Sequence, residues 1–332
     1  MSNNKIFSLF QEFSEEQKAE LDADRTINSD ALLIDGMNTF MRVWSMYPTT
    51  NDNGDHIGGY TGFLKSIGHA IRLRKPTRCI VVFDGKGGSA RRRKIFPDYK
   101  MKKNVRFRVN RALSLDLDQT EESSSMKYQI VKLIQYLNLL PVTTICMDNV
   151  EADDVMALLA RSYFSGLGKK CTIMSTDKDF LQLVDEDVTV YSPTKRTVYT
   201  PEKVSHEYGI HPKNFLLYRT IDGDRGDNID GMKGVGEKKL KTAFPELATD
   251  TQLNREDLIK ISEDKLKEMP LYKNFLKEDN QSLLKRNYDL MQLKDSILPA
   301  SMQTKVFDHV DSPVTELNKF EFSKKFAEDQ LW

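Results

Sequence analysis

The sequence predicts an α/β protein built on a mostly parallel central sheet with helices on both faces, and three observations carry that prediction. The first is a set of short apolar runs: Leu32-Leu33-Ile34, Cys79-Ile80-Val81-Val82-Phe83 and Cys171-Thr172-Ile173-Met174-Ser175-Thr176. Strands that are apolar on both faces belong in the middle of a parallel sheet, covered by helices. The second is the alternation of these runs with helical apolar spacing, as at Ile130, Val131, Leu133, Ile134 and Leu137, which is the pattern of a sheet with helices packed on both sides. The third is that each run ends in acid, at Asp35, Asp84 and Asp177.

The elements follow in order. Residues 1–30 read as a polar leader with one apolar patch, Ile6-Phe7-Ser8-Leu9-Phe10-Gln11-Glu12-Phe13. A strand ends at Asp35, and a helix follows through Met37 to Trp44. After a turn-rich stretch (48–59), residues 60–74 predict a helix that feeds the strand ending at Asp84. Gly85-Lys86-Gly87-Gly88 is a flexible exit into a basic segment. A helix over 127–140 precedes a strand over 142–146, and Glu151 opens a helix through Ala160. Past Asp177, residues Phe180, Leu181 and Val184 give a short helix, and 188–191 with 197–199 form a hairpin. From about Pro201 the chain turns charged and helix-rich, with amphipathic helices over 254–292. The expected organisation is a leader over 1–30, an α/β domain over 31–200 with a basic insertion at about 86–125, a helical region over 201–300, and a tail over 301–332 that the pattern does not place.

At 332 residues the length favours roughly two domains with a proper core. Lys plus Arg and Asp plus Glu both number 49, so net charge says nothing about partners. Its distribution does. Lys86, Arg91, Arg92, Arg93, Lys94, Lys100, Lys102, Lys103, Arg106, Arg108 and Arg111 crowd one stretch that holds a single acid, Asp98. A basic segment set apart from an acid cluster suits a protein that grips phosphates beside bound metal. The aromatics Phe96, Tyr99 and Phe107 among these charges favour nucleic-acid contact, because bases stack on aromatics while Lys and Arg track the backbone. Cys79, Cys146 and Cys171 are widely spaced in strand-like runs and read as small core residues in a reducing compartment. No apolar run approaches the ~18 residues of a membrane span, and no secretory signal opens the chain. A soluble, cytoplasmic protein with no membrane partner is expected.

Ligand sites of open α/β sheets lie outside the carboxyl ends of the strands. Asp35, Asp84, Glu151-Ala152-Asp153-Asp154, Asp177-Lys178-Asp179, Asp224 and Asp227 would therefore meet at one sheet edge. Like charges push one another's pKa upward, and hard divalent cations such as Mg²⁺ or Mn²⁺ resolve the repulsion. One acid at a helix start is ordinary, since it favours the positive end of the dipole; three in four residues at 151–154 are poorly explained that way. Two ions at one site suit phosphodiester hydrolysis. Asp222 to Asn228 lacks the bidentate Glu of a calcium loop, and no Ser, Cys or His constellation suggests a covalent intermediate. Gly234-Val235-Gly236 leads into Glu237-Lys238-Lys239, a glycine turn before a basic helix, where backbone can approach a phosphate closely; a plain helix connection reads equally well.

In order and spacing, Leu33-Ile34-Asp35-Gly36-Met37-Asn38, Val82-Phe83-Asp84-Gly85-Lys86, Val150-Glu151-Ala152-Asp153-Asp154, Ser175-Thr176-Asp177-Lys178-Asp179-Phe180 and Gly223-Asp224-Arg225-Gly226-Asp227-Asn228-Ile229 running into Gly234-Val235-Gly236 resemble the flap endonuclease/5′-nuclease superfamily. The match covers roughly residues 31–245. With no room for a fused polymerase, the chain is similar to the free-standing bacteriophage 5′-exonucleases, also called phage ribonuclease H. The resemblance implies a PIN-like sheet, a basic helical arch admitting a single-stranded 5′ end, and a helix–three-turn–helix at about 214–245 that binds duplex, with K⁺ held by loop carbonyls. It implies two Mg²⁺ (or Mn²⁺): Asp84, Glu151 and Asp153 would bind one, with Asp35 acting through water and Asp154 as a close neighbour. Asp177, Asp179, Asp224 and Asp227 would serve the other or bridge the two. Tyr99-Lys100 resembles the arch motif whose lysine faces the scissile phosphate, Lys103 falls at a second arch cation, and Arg42 resembles the basic residue after the first strand. The family often carries a stacking aromatic near position 41, where this chain has Met41 between Phe40 and Arg42.

The function expected is a Mg²⁺-dependent 5′→3′ nuclease, exonuclease and flap endonuclease with ribonuclease H activity, that removes 5′ flaps and RNA primers during phage DNA replication in the host cytoplasm. Catalysis would use Lys100 and Arg42; Arg91, Arg92, Arg93, Tyr99, Lys100, Lys103, Gly234, Gly236, Lys238 and Lys239 would touch nucleic acid. Phe7, Leu9, Phe10 and Phe13 would anchor a sliding clamp, a single-stranded DNA-binding protein would be a further partner, and the enzyme would be a monomer. A PIN-type ribonuclease and a structure-specific DNA-binding protein with a degenerate metal site are the alternatives. The long basic insertion and glycine turn count against the first, and the intact acid set against the second.

Overall fold

The computed structural model describes residues 30–101, 119–293 and 298–331. At its centre are β1 (Asp30–Asp35), β2 (Arg78–Asp84), β3 (Thr143–Met147), β4 (Lys170–Met174), β5 (Val188–Ser192) and β6 (Thr197–Tyr199). The sheet runs in the order β3-β2-β1-β4-β5-β6. The first five strands are parallel to their neighbours and β6 is antiparallel to β5. Order therefore reverses between β1 and β4, and a crevice opens at the carboxyl ends there.

Side chains alternate across the sheet with the period of two that a strand imposes. Ala31, Leu33, Ile80, Val82 and Ile173 enter one core, while Leu32, Ile34, Cys79, Val81, Phe83 and Met174 enter the other. The second face is covered by α1 (Gly36–Met46), α2 (Gly58–Arg74) and α4 (Gln119–Leu137), through Phe40, Val43, Phe63 and Leu133. Between α2 and α4 lies the short α3 (Ala90–Ile95). The first face carries α5 (Ala152–Leu158), extended by a π-helical turn to Phe164, and the helical region beyond β6. That region comprises α6 (Pro201–Tyr208), α7 (Pro212–Asp222), α8 (Glu237–Ala243), α9 (Arg255–Asp264), α10 (Pro270–Phe275) and α11 (Glu278–Met291).

The sequence left the tail unplaced; its apolar positions are sparse, and only tertiary packing reveals them. Two helices form, α12 (Ala300–Asp311) and α13 (Lys319–Glu328). Val306 and Val310 join the first core, Phe322 and Leu331 the second. The chain therefore passes from one face of the sheet to the other beside edge strand β3. Arg78 fastens this passage by donating to the carbonyls of Val310 (2.7 Å) and Ser312 (3.2 Å), and Asn318 N–H reaches the Leu139 carbonyl. Asp329 closes it by pairing with Lys132 and accepting from the Tyr136 hydroxyl. An exposed strand edge invites pairing with another chain, and a strap of this kind blocks it. The helix expected over 127–140 runs from Gln119 to Leu137; its first two turns are polar and carry no apolar period, so the sequence pattern does not reveal them.

Candidate metal and nucleic-acid site

The acids reach the crevice because strand ends put them there. Asp35, the last residue of β1, caps α1: its Oδ1 accepts from Asn38 N–H at 3.0 Å. Gly36 follows because a Cβ there would lie 2.6 Å from the Phe83 ring and 2.8 Å from the Val82 carbonyl. The other Asp35 oxygen accepts from Ser175 Oγ at 2.9 Å, and Ser175 Oγ accepts in turn from Asp177 N–H. Asn38 Oδ1 takes both the N–H and the hydroxyl of Thr176. The ends of β1 and β4 are thus stitched together by Asn38, Ser175 and Thr176. All three sit inside the quoted motifs, yet sequence reasoning gave them no role, because a bridging polar side chain has no signature until its partner is known.

Asp177 caps the 3₁₀ turn Lys178–Leu183, its Oδ1 accepting from Asp179 N–H at 2.8 Å. Asp84 accepts from Ala152 N–H at 2.8 Å, which fixes the start of α5 against β2. Asp224 Oδ1 gathers the N–H groups of Gly226 and Asp227. Burial pushes Asp35 up to about 7, reinforced by the charges on Asp177 and Asp84. It pushes Asp179 up to about 7, with Asp177 adding to it, and Asp227 up to about 6, against the pull of Lys100. Asp153 is raised by burial and then by Asp177 and Asp35; Asp177 is raised chiefly by burial. Carboxylates from four parts of the chain therefore feel one another, as repulsion at a shared edge requires.

Three cations lean into this cluster. Arg92 is buried, 3% exposed, and donates to Asp154 at 2.8 and 2.7 Å, to Glu151, and to the Leu290 carbonyl at 2.8 Å. Lys100 Nζ lies 3.0 Å from Glu151 and 4.0 Å from Asp227. Burial works against its charge, but Tyr99, Asp153, Asp227 and Glu151 more than reverse that and raise its pKa. Lys100 holds φ at +51°, a left-handed conformation that a non-glycine residue keeps only when its surroundings enforce it. They do: its N–H donates to the Asp227 carbonyl at 3.0 Å, and Asn228 Nδ2 donates to the Asp98 carbonyl at 2.9 Å. Arg219, on α7, bridges Asp179 and Asp224 at 2.6 Å each. No residue pattern in the sequence marks Arg219 as a site residue.

The sequence model of the 5′-3′ exonuclease N-terminal resolvase-like domain matches residues 30–209. This chain belongs to the 5′-3′ exonuclease family. Among the relatives of this exonuclease-family chain is the 5′-3′ exonuclease of Aquifex aeolicus, 32% identical over 62% of this chain and 65% of that one. The chain thus spans just under two thirds of that relative's length. The thermostable DNA polymerase I of Thermus filiformis is 30% identical over 62% of this chain, which is 22% of the polymerase. Among solved structures, the bacteriophage T5 5′-exonuclease with zinc ions bound aligns over 91% of this chain and 99% of its own (TM-score 0.60, 20% identity). Human GEN1 bound to Holliday junction DNA aligns over 92% of this chain and 69% of its own (TM-score 0.54, 11% identity). These likenesses carry the fold, and it agrees with the sheet described above.

Within this exonuclease-family fold, several sequence expectations need correcting. Arg92 was assigned to nucleic acid, but it is enclosed by Glu151, Asp154 and Leu290. A guanidinium needs its fork filled when it is buried, and Glu151, the cap of α5, and Asp154 within it fill it. Asp154, expected beside the first metal, has both its oxygens held by Arg92. Tyr99, expected to meet bases, is 2% exposed, with its hydroxyl between Glu151 (3.3 Å) and Asp227 (3.2 Å). Phe40, beside the position where a stacking aromatic was sought, is fully buried. Arg42 is half-buried and donates to Ser66 Oγ at 2.8 Å. Arg91 is half-buried, and Arg93 is exposed, with its Nε donating to the Tyr99 carbonyl. Lys238 and Lys239 are exposed on α8. A Cβ at Gly234 (φ +79°) or Gly236 would meet nothing within 4 Å, so backbone is open on that side, while the Gly234 carbonyl accepts from Lys239 Nζ at 3.2 Å. Lys103, Phe7, Leu9, Phe10 and Phe13 lie outside the described residues. Among the described residues no helix is long and apolar enough to cross a membrane.

Proposed function

We propose that this protein is a divalent-metal-dependent 5′→3′ nuclease acting on branched or nicked DNA and on RNA–DNA duplex with a 5′ end. The observation that carries the reading is the convergence of Asp35, Asp153, Asp177 and Asp179 at the switch point, their charges opposed by burial and by one another, with Asp84 adding its charge from the end of β2. Among the described residues no three His, Cys, Asp or Glu side chains already stand close enough to hold an ion. The donor set nonetheless fits one. It offers carboxylate oxygens with no thiolate or imidazole, which suits Mg²⁺ or Mn²⁺. Asp35, Asp84 and Asp153 would hold one ion, with Glu151 joining them by exchanging its Lys100 contact, and Asp177 and Asp179, with Asp224 and Asp227 behind them, a second.

When bound, such ions supply charge neutralisation and a strong nucleophile at neutral pH. The chain's own residues do the rest. Asn38, Ser175 and Thr176 fix Asp35 relative to Asp177. Tyr99 fixes Glu151 relative to Asp227, and Lys100 points its ammonium into the same space, where it would meet the scissile phosphate and stabilise charge developing there. The exposed glycine turn and Lys238 and Lys239 would grip duplex backbone, with K⁺ a ligand of that turn. Removal of 5′ flaps and RNA primers in phage replication, monomeric action, and docking of the segment around Phe7, Leu9, Phe10 and Phe13 on a sliding clamp, alongside a single-stranded DNA-binding protein, complete the reading.

The test is a 5′-labelled flap, a nicked duplex and an RNA–DNA hybrid, each incubated with Mg²⁺ or with EDTA. Cleavage of the flap only with Mg²⁺ is expected, and Asp177→Asn or Asp179→Asn should abolish it while leaving forked-DNA binding largely intact, since affinity comes from phosphate contacts elsewhere. No cleavage of any substrate, or equal cleavage in EDTA, refutes the proposal.

A further inference from the structure

Arg219 sits on α7 at 4% exposure, in none of the roles the sequence suggested. Its fork is fully used. Nε donates to Asp179 Oδ1 and one terminal nitrogen to Asp224 Oδ2, both at 2.6 Å; the other donates to the Gly223 carbonyl at 2.9 Å and reaches Asp222 at 3.3 Å. Burial works against the charge, but Asp179, Asp224 and Asp177 more than restore it and raise its pKa. Asp179 follows β4 and Asp224 follows α7, so Arg219 is a direct tie between two acid-bearing segments.

The same end of α7 is fastened to the loop that leads to the glycine turn. Met232 N–H donates to the Ile221 carbonyl at 2.8 Å, and Asn287 Nδ2 donates to the carbonyls of both Thr220 and Asp230 at 2.9 Å. Gly223 has φ +77°, and a Cβ there would lie 2.4 Å from Gly231 N. The loop that leads to the duplex-facing turn and the guanidinium that holds the acids therefore hang on one helix terminus.

We infer that Arg219 is a positioning residue, whose two-pronged fork sets Asp179 against Asp224 for the second metal and ties that geometry to the end of α7, against which the loop leading to the glycine turn is held. This rests on the metal-dependent nuclease reading. A competing account is available from charge alone: Arg219 would only offset surplus negative charge, and its removal would then leave more net attraction for a cation. The two accounts differ in sign. Supporting partners of metal ligands typically matter ~10–100-fold in affinity or activity, and a Lys cannot reproduce a planar two-pronged fork even though it keeps the charge.

The experiment compares the wild-type chain with Arg219→Gln and Arg219→Lys. Mn²⁺ binding is followed by electron paramagnetic resonance without DNA, forked-DNA binding is measured in Ca²⁺, and single-turnover flap cleavage is measured across Mg²⁺ concentrations. Positioning predicts that both variants bind Mn²⁺ more weakly at one site by ~10–100-fold, keep forked-DNA affinity within about twofold, and need more Mg²⁺ for cleavage. If Arg219→Gln fails to fold, Arg219→Lys, which retains the buried charge, carries the comparison. Mn²⁺ binding that is unchanged in Arg219→Lys, or tighter in Arg219→Gln, overturns the inference. A wild-type chain that cleaves nothing sinks the nuclease reading instead, and the Mn²⁺ titrations still judge Arg219.

Discussion

Arg92 offers the sharpest test of how the candidate site is held together. Its guanidinium makes two bonds to Asp154, at 2.8 and 2.7 Å, one to Glu151 and one to the Leu290 carbonyl, with about 3% of its side chain exposed. Arg92→Met keeps most of the stem and removes the charge. Glu151 would still have Lys100 at 3.0 Å, but Asp154 would be left buried without a cation. Breaking a buried pair by removing one partner costs about 3–5 kcal/mol. At ~2–4 °C per kcal/mol for domains of 150–250 residues, and less for a longer chain, Tm should fall by roughly 5–10 °C. Replacing both partners with apolar groups removes the orphan charge, so Arg92→Met with Asp154→Leu should be no less stable than Arg92→Met alone. The assay is urea unfolding of wild type, both single variants and the double variant. A loss below about 1 kcal/mol for Arg92→Met, or a double variant as unstable as the sum of the singles, would refute the claim that this cation is a structural partner of α5.

Three further outcomes follow from the same geometry. Changing both Lys238 and Lys239 to Ala should weaken duplex binding regardless of sequence and reduce its salt slope by roughly one unit per lost phosphate contact; an unchanged slope would mean these lysines face solvent in the complex. Ending the chain at residue 312 removes Phe322, Leu331 and the Asp329 anchor, so it should lower Tm and promote self-association through the uncovered β3 edge, as read by light scattering; a monomer of wild-type Tm would contradict the strap. Asp35 and Asp179 are both held near 7 when folded, above their unfolded values. Their contribution to stability is therefore complete below the unfolded carboxylate range and is lost as pH rises through about 7. Metal-free protein should gain Tm on moving from pH 8 to pH 6, and added Mg²⁺ should raise Tm more at pH 8; a larger Mg²⁺ effect at the lower pH would contradict the assignment.

Most of the fold was legible because buried parallel strands announce themselves. Runs such as Leu32 to Ile34 and Cys79 to Phe83 cannot be placed anywhere wet, and the acids that end them, Asp35 and Asp84, lie at the carboxyl ends of β1 and β2 as their position after a buried strand requires. Residues 188–199 read as a hairpin for the same reason. What escaped were features defined by a partner. Arg92 and Arg93 are neighbours in one basic run, yet one is buried against acids and the other is exposed; composition has no means of separating them. Tyr99 lies among charges and so suggests a stacking surface, but its hydroxyl is drawn inward by Glu151 and Asp227. Arg219 and Asn38 sit in apolar or motif-rich segments where a bridging role needs two distant chain positions to be known together. The tail went unplaced because each of α12 and α13 buries only a few side chains, on opposite faces of the sheet.

The central claim is that Asp35, Asp84, Asp153, Asp177 and Asp179 hold divalent metal at the switch point of the sheet. Anomalous scattering from crystals of the full chain soaked in Mn²⁺ tests it most directly. Mn²⁺ peaks are expected at the carboxyl ends of β1, β2 and β4, within coordination distance of these carboxylates, and they should be lost in Asp177→Asn with Asp179→Asn. Peaks confined to surface acids, or a crevice that stays free of Mn²⁺ at saturating concentration, would contradict it.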